Sequence, residues 1–309
     1  MIQTQLTLLR RELWEHRSIF ITPLVVGLVV ALGALTGQVA VSAFDQAVDL
    51  AILGASNLGE RERAVAITVL MIAVSTPFVI AMSILAVFYL LDALYAERKD
   101  RSILFWRSMP VTDAETVVSK LLTAILVIPL ITFAAIVATS LVVLAVSGIW
   151  ISMRGGDGGQ LIWAAAPLFD NFLVSLIFVL ALPLWLSPFA GWFLLVSAWT
   201  KRSPFLVGFL PLIVAPMIER ILVGTSYLNE LIFVRSGKVP LFSESGFDPS
   251  RYMFSDSDRP MIAEDAATSL LSYVDPVRFL SSPGLWLGLL VCALLTAAAI
   301  YIRRYRDDS

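Results

Sequence analysis

The residues best placed to do chemistry sit in one charged run, AERKDRSILFWRSMPVTDAETVVSK, residues 96–120. Glu97, Arg98, Lys99, Asp100, Arg101 and Arg107 surround an unbroken apolar stretch, Ile103-Leu104-Phe105-Trp106. Four consecutive apolar residues on a helix wrap a full turn, so they cannot all face one surface. The chemistry this offers is recognition: guanidinium groups for carboxylates, and an apolar turn that must be buried against something. Either the chain's own helices or another protein supplies that second surface. Covalent chemistry has little to work with. His16 is the only histidine and Cys292 the only cysteine, so neither a His-based metal site nor an internal disulfide is available. H-E-x-x-H and G-x-S-x-G are both absent, and the chain is not expected to be an enzyme. A P-loop is missing too: Gly237-Lys238 is followed by Val239, and GGDGGQ at 155–160 is read as a flexible turn. ATP and Mg, if they drive this protein, bind a separate chain, and no cofactor or metal is expected in this one.

The elements that must position the charged run are membrane helices. The chain has 309 residues, 58% of them hydrophobic and only 15% charged, with a mean hydropathy of +0.85. Soluble domains hold nearer a quarter charged residues. Six apolar runs approach or exceed the roughly 20 residues a spanning helix needs: about 18–40, 65–95, 121–148, 172–199, 204–222 and 284–302. The fold class is therefore all-α integral membrane. The second run is longer than the hydrocarbon core is thick and must tilt or project beyond it. The fifth is the weakest, interrupted by Pro204, Pro211 and Pro216.

Basic residues set the orientation. With six spans both termini lie on one side. That side holds Arg10, Arg11, Arg17, Arg98, Lys99, Arg101, Arg107, Lys120, Lys201, Arg202, Arg303, Arg304 and Arg306. The expectation is a multi-pass protein of the cell (inner) membrane with N- and C-termini in the cytoplasm. Residues 1–17 read as an amphipathic helix in the membrane interface, with Ile2, Leu6, Leu9 and Leu13 on one stripe. The extracytoplasmic loop at 223–283 carries Asp248, Asp256, Asp258, Glu264 and Asp265 without calcium-loop spacing, and reads as a solvated acidic loop. The span cores carry no charge. Asp92 is expected as an interfacial carboxylate near Arg98, and Glu219 and Arg220 are expected to pair with headgroups or a partner subunit.

The charged run stops at Met109-Pro110, because proline disfavours helix in the residue before it. Thr112-Asp-Ala-Glu115 has the capping-box spacing, so a new helix begins there and enters the third span. A short helix is thus held between spans 2 and 3 on a sharp turn. LYAERKDRSILFWRSMPVTDAETVVSKLLTA resembles the second intracellular segment of ABC-2 type transporter permeases: an acidic-basic run, an apolar turn, Ser-x-Pro, then a capped helix ending in lysine. The wider plan is similar as well, with an interfacial elbow helix, six spans and a short second cytoplasmic turn at Lys201-Arg202.

The resemblance implies the permease subunit of an ATP-driven ABC exporter, working as a homo- or heterodimer with a second permease copy. Its other partners would be membrane lipid and an ABC ATP-binding subunit; nucleic acid is not among them. It further implies that the short helix within 96–120 is a coupling helix seated in a cleft of the ATP-binding subunit. Glu97, Arg98, Arg101, Ile103, Phe105, Trp106 and Arg107 are then its contact residues, and Pro110 sets its turn. The loop of about 60 residues before the last span departs from the short re-entrant segment of many members. Two alternatives remain: a self-contained secondary transporter or channel, and a non-transporting membrane anchor for a cytoplasmic partner.

Overall fold

A computed structural model of the chain describes residues 2–36, 60–100, 111–153, 157–163, 167–235, 239–242 and 270–305. Among these residues the structure is helical, apart from one isolated antiparallel bridge between Phe242 and Val274. Helix α1 (Ile2–Glu15) leads through a tight turn at His16 and Arg17 into α2 (Ser18–Leu35). Then come α3 (Glu60–Ala93), the short α4 (Tyr95–Lys99), α5 (Asp113–Leu122) and α6 (Ile128–Met153). The second half holds α7 (Leu168–Trp185), α8 (Ser187–Trp199), α9 (Pro204–Leu222), α10 (Tyr227–Asn229), α11 (Pro276–Ser281) and α12 (Pro283–Tyr305).

Among the described residues, six helical stretches are long and apolar enough to cross a membrane: Ser18–Leu35, Ile67–Lys99, Asp113–Met153, Leu168–Trp185, Pro204–Leu222 and Pro283–Tyr305. The chain is a six-span, all-helical membrane protein. The second and third stretches hold 33 and 41 residues, about 50 and 60 Å of helix, well over the ~30 Å hydrocarbon core. The third stays continuous through a wide π turn, Thr123–Val127, in which the Ile128 amide bonds the Thr123 carbonyl. Pro129 follows immediately. Its ring cannot donate and crowds the preceding turn, and a wider turn relieves that crowding.

The fourth span differs from the expected single run at 172–199. It starts at Leu168 and breaks at Leu186, giving α7 and α8. Pro188 is the cause. It cannot donate to the Leu184 carbonyl, and beyond it the Phe189 amide turns back to Leu186 at 3.0 Å. The Trp185 carbonyl is thereby released from the helix.

Arg235 takes that carbonyl. It follows α10 and the π turn Glu230–Val234, and its Nε and Nη2 donate to Trp185 O at 3.1 and 3.0 Å. Nη2 also donates to Gly284 O at 3.0 Å, while the Trp185 indole returns a bond to Arg235 O at 2.8 Å. The guanidinium lies 4.3 Å from the Trp185 ring centroid. A side chain at Gly288 would run into Nη2, so only glycine leaves room for the clamp. Arg235→Ala should lower the thermal midpoint of the purified protein, at a cost of about 1–3 kcal/mol, because the Trp185 carbonyl loses its partner.

Small residues let the helices approach closely, as expected where lipid supplies no hydrophobic drive between them. A Cβ on Gly27 of α2 would stand 2.8 Å from Thr139 Oγ1 of α6. One on Gly191 of α8 would stand 3.0 Å from both Cα and O of Cys292 in α12. That second neighbour is backbone and cannot swing aside. Gly191→Leu is therefore expected to destabilise the chain by about 1–3 kcal/mol or more, read as a lowered melting temperature in detergent.

Candidate functional site

The end of the bundle that carries α1, the α3–α4 junction, the start of α5 and the end of α12 contains a buried set of charges. Glu12 on α1, Glu97 on α4, Lys120 on α5 and Arg303 on α12 are all buried. Local sequence explains how each reaches the interior. Glu12 lies one turn beyond the buried Leu8 on α1. Lys120 follows the buried Thr116, Val117 and Ser119 on a helix whose start is fixed by the capping box. Thr112 N donates to Glu115 Oε2 at 3.0 Å, and Glu115 N donates to Thr112 Oγ1 at 3.2 Å, as the spacing predicts. Arg303 follows Ala299 on the buried face of α12.

The pairs are close. Lys120 Nζ is 2.9 Å from Glu12 Oε1 and 3.1 Å from Glu97 Oε1. Arg303 donates from Nη1 to Glu97 Oε2 at 2.6 Å and from Nε to Asp113 Oδ1 at 2.9 Å. The Tyr89 hydroxyl of α3 donates to Glu12 Oε2 at 2.7 Å. Arg11 approaches Glu97 Oε1 at 4.0 Å and pairs with Glu15 at 2.9 Å. His16 stands 3.7 Å from Glu12 Oε2 and edge-on to Tyr89. Carboxylates and cations alternate through the set, as buried ions require.

A second set of bonds joins α8 to the same place. Ser197 Oγ accepts from the Leu94 and Tyr95 amides, each at 3.0 Å, where α3 gives way to α4. Arg98 donates to the carbonyls of Ser197 and Thr200, the latter at 2.8 Å. The ends of α1, α3, α5, α8 and α12 are thus fastened to one another.

Arg303 also closes a loop. The chain leaves this end at Glu97, passes through 100–112, and returns at Asp113, with both ends bonded to that one guanidinium. Short charged bonds thus join α1, α4, α5 and α12 on either side of this segment. The arrangement has no nucleophile paired with a base, and each carboxylate faces a cation.

Of the eight coupling residues that the resemblance implies, two fall in the described structure. Glu97 is 5% exposed and turned into the charged set, so its observed contacts are within the chain. Arg98 is half-buried on α8 carbonyls. Arg101, Ile103, Phe105, Trp106, Arg107 and Pro110 lie outside the described residues. Asp92 is exposed. Glu219, expected to pair with a headgroup or a partner subunit, accepts bonds within the chain from Thr225 Oγ1 at 2.7 Å and from the Tyr227 and Leu228 amides at 2.9 and 2.7 Å. It caps the turn into α10. Leu8 and Glu12 face the protein, while Leu6 is exposed and Leu9 and Leu13 are intermediate.

Sequence reasoning missed the charged set itself. Glu12, Asp113, Lys120 and Arg303 are scattered along the chain and read singly as helix ends or positive-inside charge. One signal was available: Lys120 sits at the mouth of an apolar run, where a charge needs a buried partner. Compared with protein-family models, with curated proteins and with solved structures, the chain matches none, and what its own structure establishes is a six-span, all-helical, multi-pass membrane protein.

Proposed function

We propose that this chain is the membrane-spanning subunit of an ABC-2 type exporter, driven by a separate ATP-binding subunit that docks on the segment between Asp100 and Thr112. One observation carries the reading: both ends of that segment are held by Arg303, through Glu97 and Asp113. A segment presented from so firm a base is suited to receive force and pass it to several spans. Charged, apolar-centred sequence supplies the docking surface, and the buried charges behind it supply the linkage. The motor must contact the segment differently with and without ATP, since a ligand shifts an equilibrium only by its differential affinity. On this reading the termini are cytoplasmic and the complex lies in the cell (inner) membrane. A second permease copy completes the pathway. The exposed apolar faces of α2 and α9, including Leu24, Leu28, Leu210, Ile213 and Met217, leave room for it and for lipid.

The test is affinity purification of the tagged chain from native membranes in mild detergent, with identification of bound chains. Recovery of a protein carrying G-x-x-x-x-G-K-[ST] supports the reading. Transport that continues without ATP and collapses with the proton gradient would instead favour the secondary transporter.

A further inference from the structure

The N-terminal helix has a second face, turned away from the charged set. Leu6, Arg10 and Trp14 recur at helical spacing and lie within one narrow arc of α1, opposite Leu8 and Glu12, and Arg17 follows in the turn that leads into α2. Leu6 is 61% and Trp14 76% exposed. Arg10 and Arg17 are exposed as well. Among the described residues no carboxylate pairs with either arginine; the ion pairs of this helix are made by Arg11, Glu12 and Glu15.

Covalent continuity fixes the depth of this face. α1 passes through Arg17 directly into the first span at Ser18, so its last turn stands where that span meets the headgroups. The same end of the bundle exposes Trp199, Tyr301 and Tyr305, and Trp and Tyr gather at membrane–water interfaces. It also exposes Lys99, Lys201, Arg202 and Arg304. An indole at headgroup depth flanked by two exposed guanidinium groups is complementary to a surface of phosphates with acyl chains behind it.

We infer that the Leu6–Arg10–Trp14 face of α1, together with Arg17 in the turn that follows it, binds the anionic phospholipid surface of its leaflet, with Arg10 and Arg17 on lipid phosphates and Trp14 and Leu6 seated between them. The opposite face of the same helix carries Glu12, bonded to Lys120 and Tyr89. Lipid charge therefore sets how firmly α1 is held against the buried ion pairs. This inference stands independently of any ATP-binding partner.

The experiment incorporates the full chain into nanodiscs of phosphatidylcholine mixed with phosphatidylglycerol, then counts co-retained lipids by native mass spectrometry. Wild type should retain phosphatidylglycerol over phosphatidylcholine, and Arg10→Gln/Arg17→Gln should lose about five-fold of that preference for each arginine removed. Lys201→Gln/Arg202→Gln, at the same end of the bundle, should keep the α1-dependent part. An unchanged preference in the Arg10/Arg17 variant would overturn the inference, as would an equal loss in the Lys201/Arg202 variant. So would a photo-cross-linker at Leu6 that captures a protein in native membranes rather than lipid.

Discussion

Arg303→Ala is expected to cost most of the stability of the folded chain. Arg303 is 7% exposed and bonds both Glu97 and Asp113. Without it, Lys120 is left between two buried carboxylates, Glu12 and Glu97, and one of those charges loses its balance. Breaking a buried pair from one side costs about 3–5 kcal/mol, a large part of the ~5–15 kcal/mol that keeps a typical domain folded. The readout is the yield and melting temperature of monodisperse protein in detergent. Arg303→Lys should fall between, since one ammonium cannot fork to both carboxylates as a guanidinium does. Arg303→Met combined with Glu97→Gln should recover much of the loss, because Lys120 and Glu12 then balance alone. The shortfall from additivity measures the pair. An Arg303→Ala protein as stable as wild type would show the charged set to be incidental.

The second large effect concerns binding rather than folding. Arg101→Glu/Trp106→Ala is expected to abolish recovery of an ATP-binding partner while the chain still inserts and purifies normally. Arg101 begins the apolar turn and Trp106 is its largest side chain. Buried Trp and Arg are the residues whose truncation most often costs an interface 2 kcal/mol or more. Reversing one charge adds repulsion to the lost contact. Because neither substitution removes Glu97, Arg303 or Asp113, the charged bonds of the base keep their partners. The two variants are therefore distinguishable: Arg303→Ala lowers stability with or without a partner, whereas the double variant changes only what is recovered with the chain.

The spans were legible because hydropathy and length are properties of contiguous sequence. The Thr112–Glu115 capping box was legible for the same reason, its chemistry being complete within four residues. Long-range partnerships were not. Glu12 and Lys120 are 108 residues apart and Glu97 and Arg303 are 206 apart, and no local pattern announces either pair. Glu97 illustrates the consequence. Within a charged run it reads as one more contact for a partner, yet it sits one turn past the buried Ala93 and Leu94, on the face that turns inward. Arg235 was hidden in another way. Its role depends on a carbonyl freed by Pro188, and proline's effect is visible in sequence while the residue that answers it is not. Trp14 and Leu6 were assigned to an interfacial helix, but which of its faces meets the bundle followed only from the packing of Leu8 and Glu12.

The most direct test of the central claim places a photo-cross-linking amino acid at Phe105, inside the apolar turn, and another at Phe169, exposed near the start of α7. Both are irradiated in native membranes. The account predicts that the Phe105 probe captures a P-loop protein and the Phe169 probe does not. Capture at Phe105 of this chain's own helices alone would contradict it, showing that the apolar turn is buried by the protein itself and receives no motor.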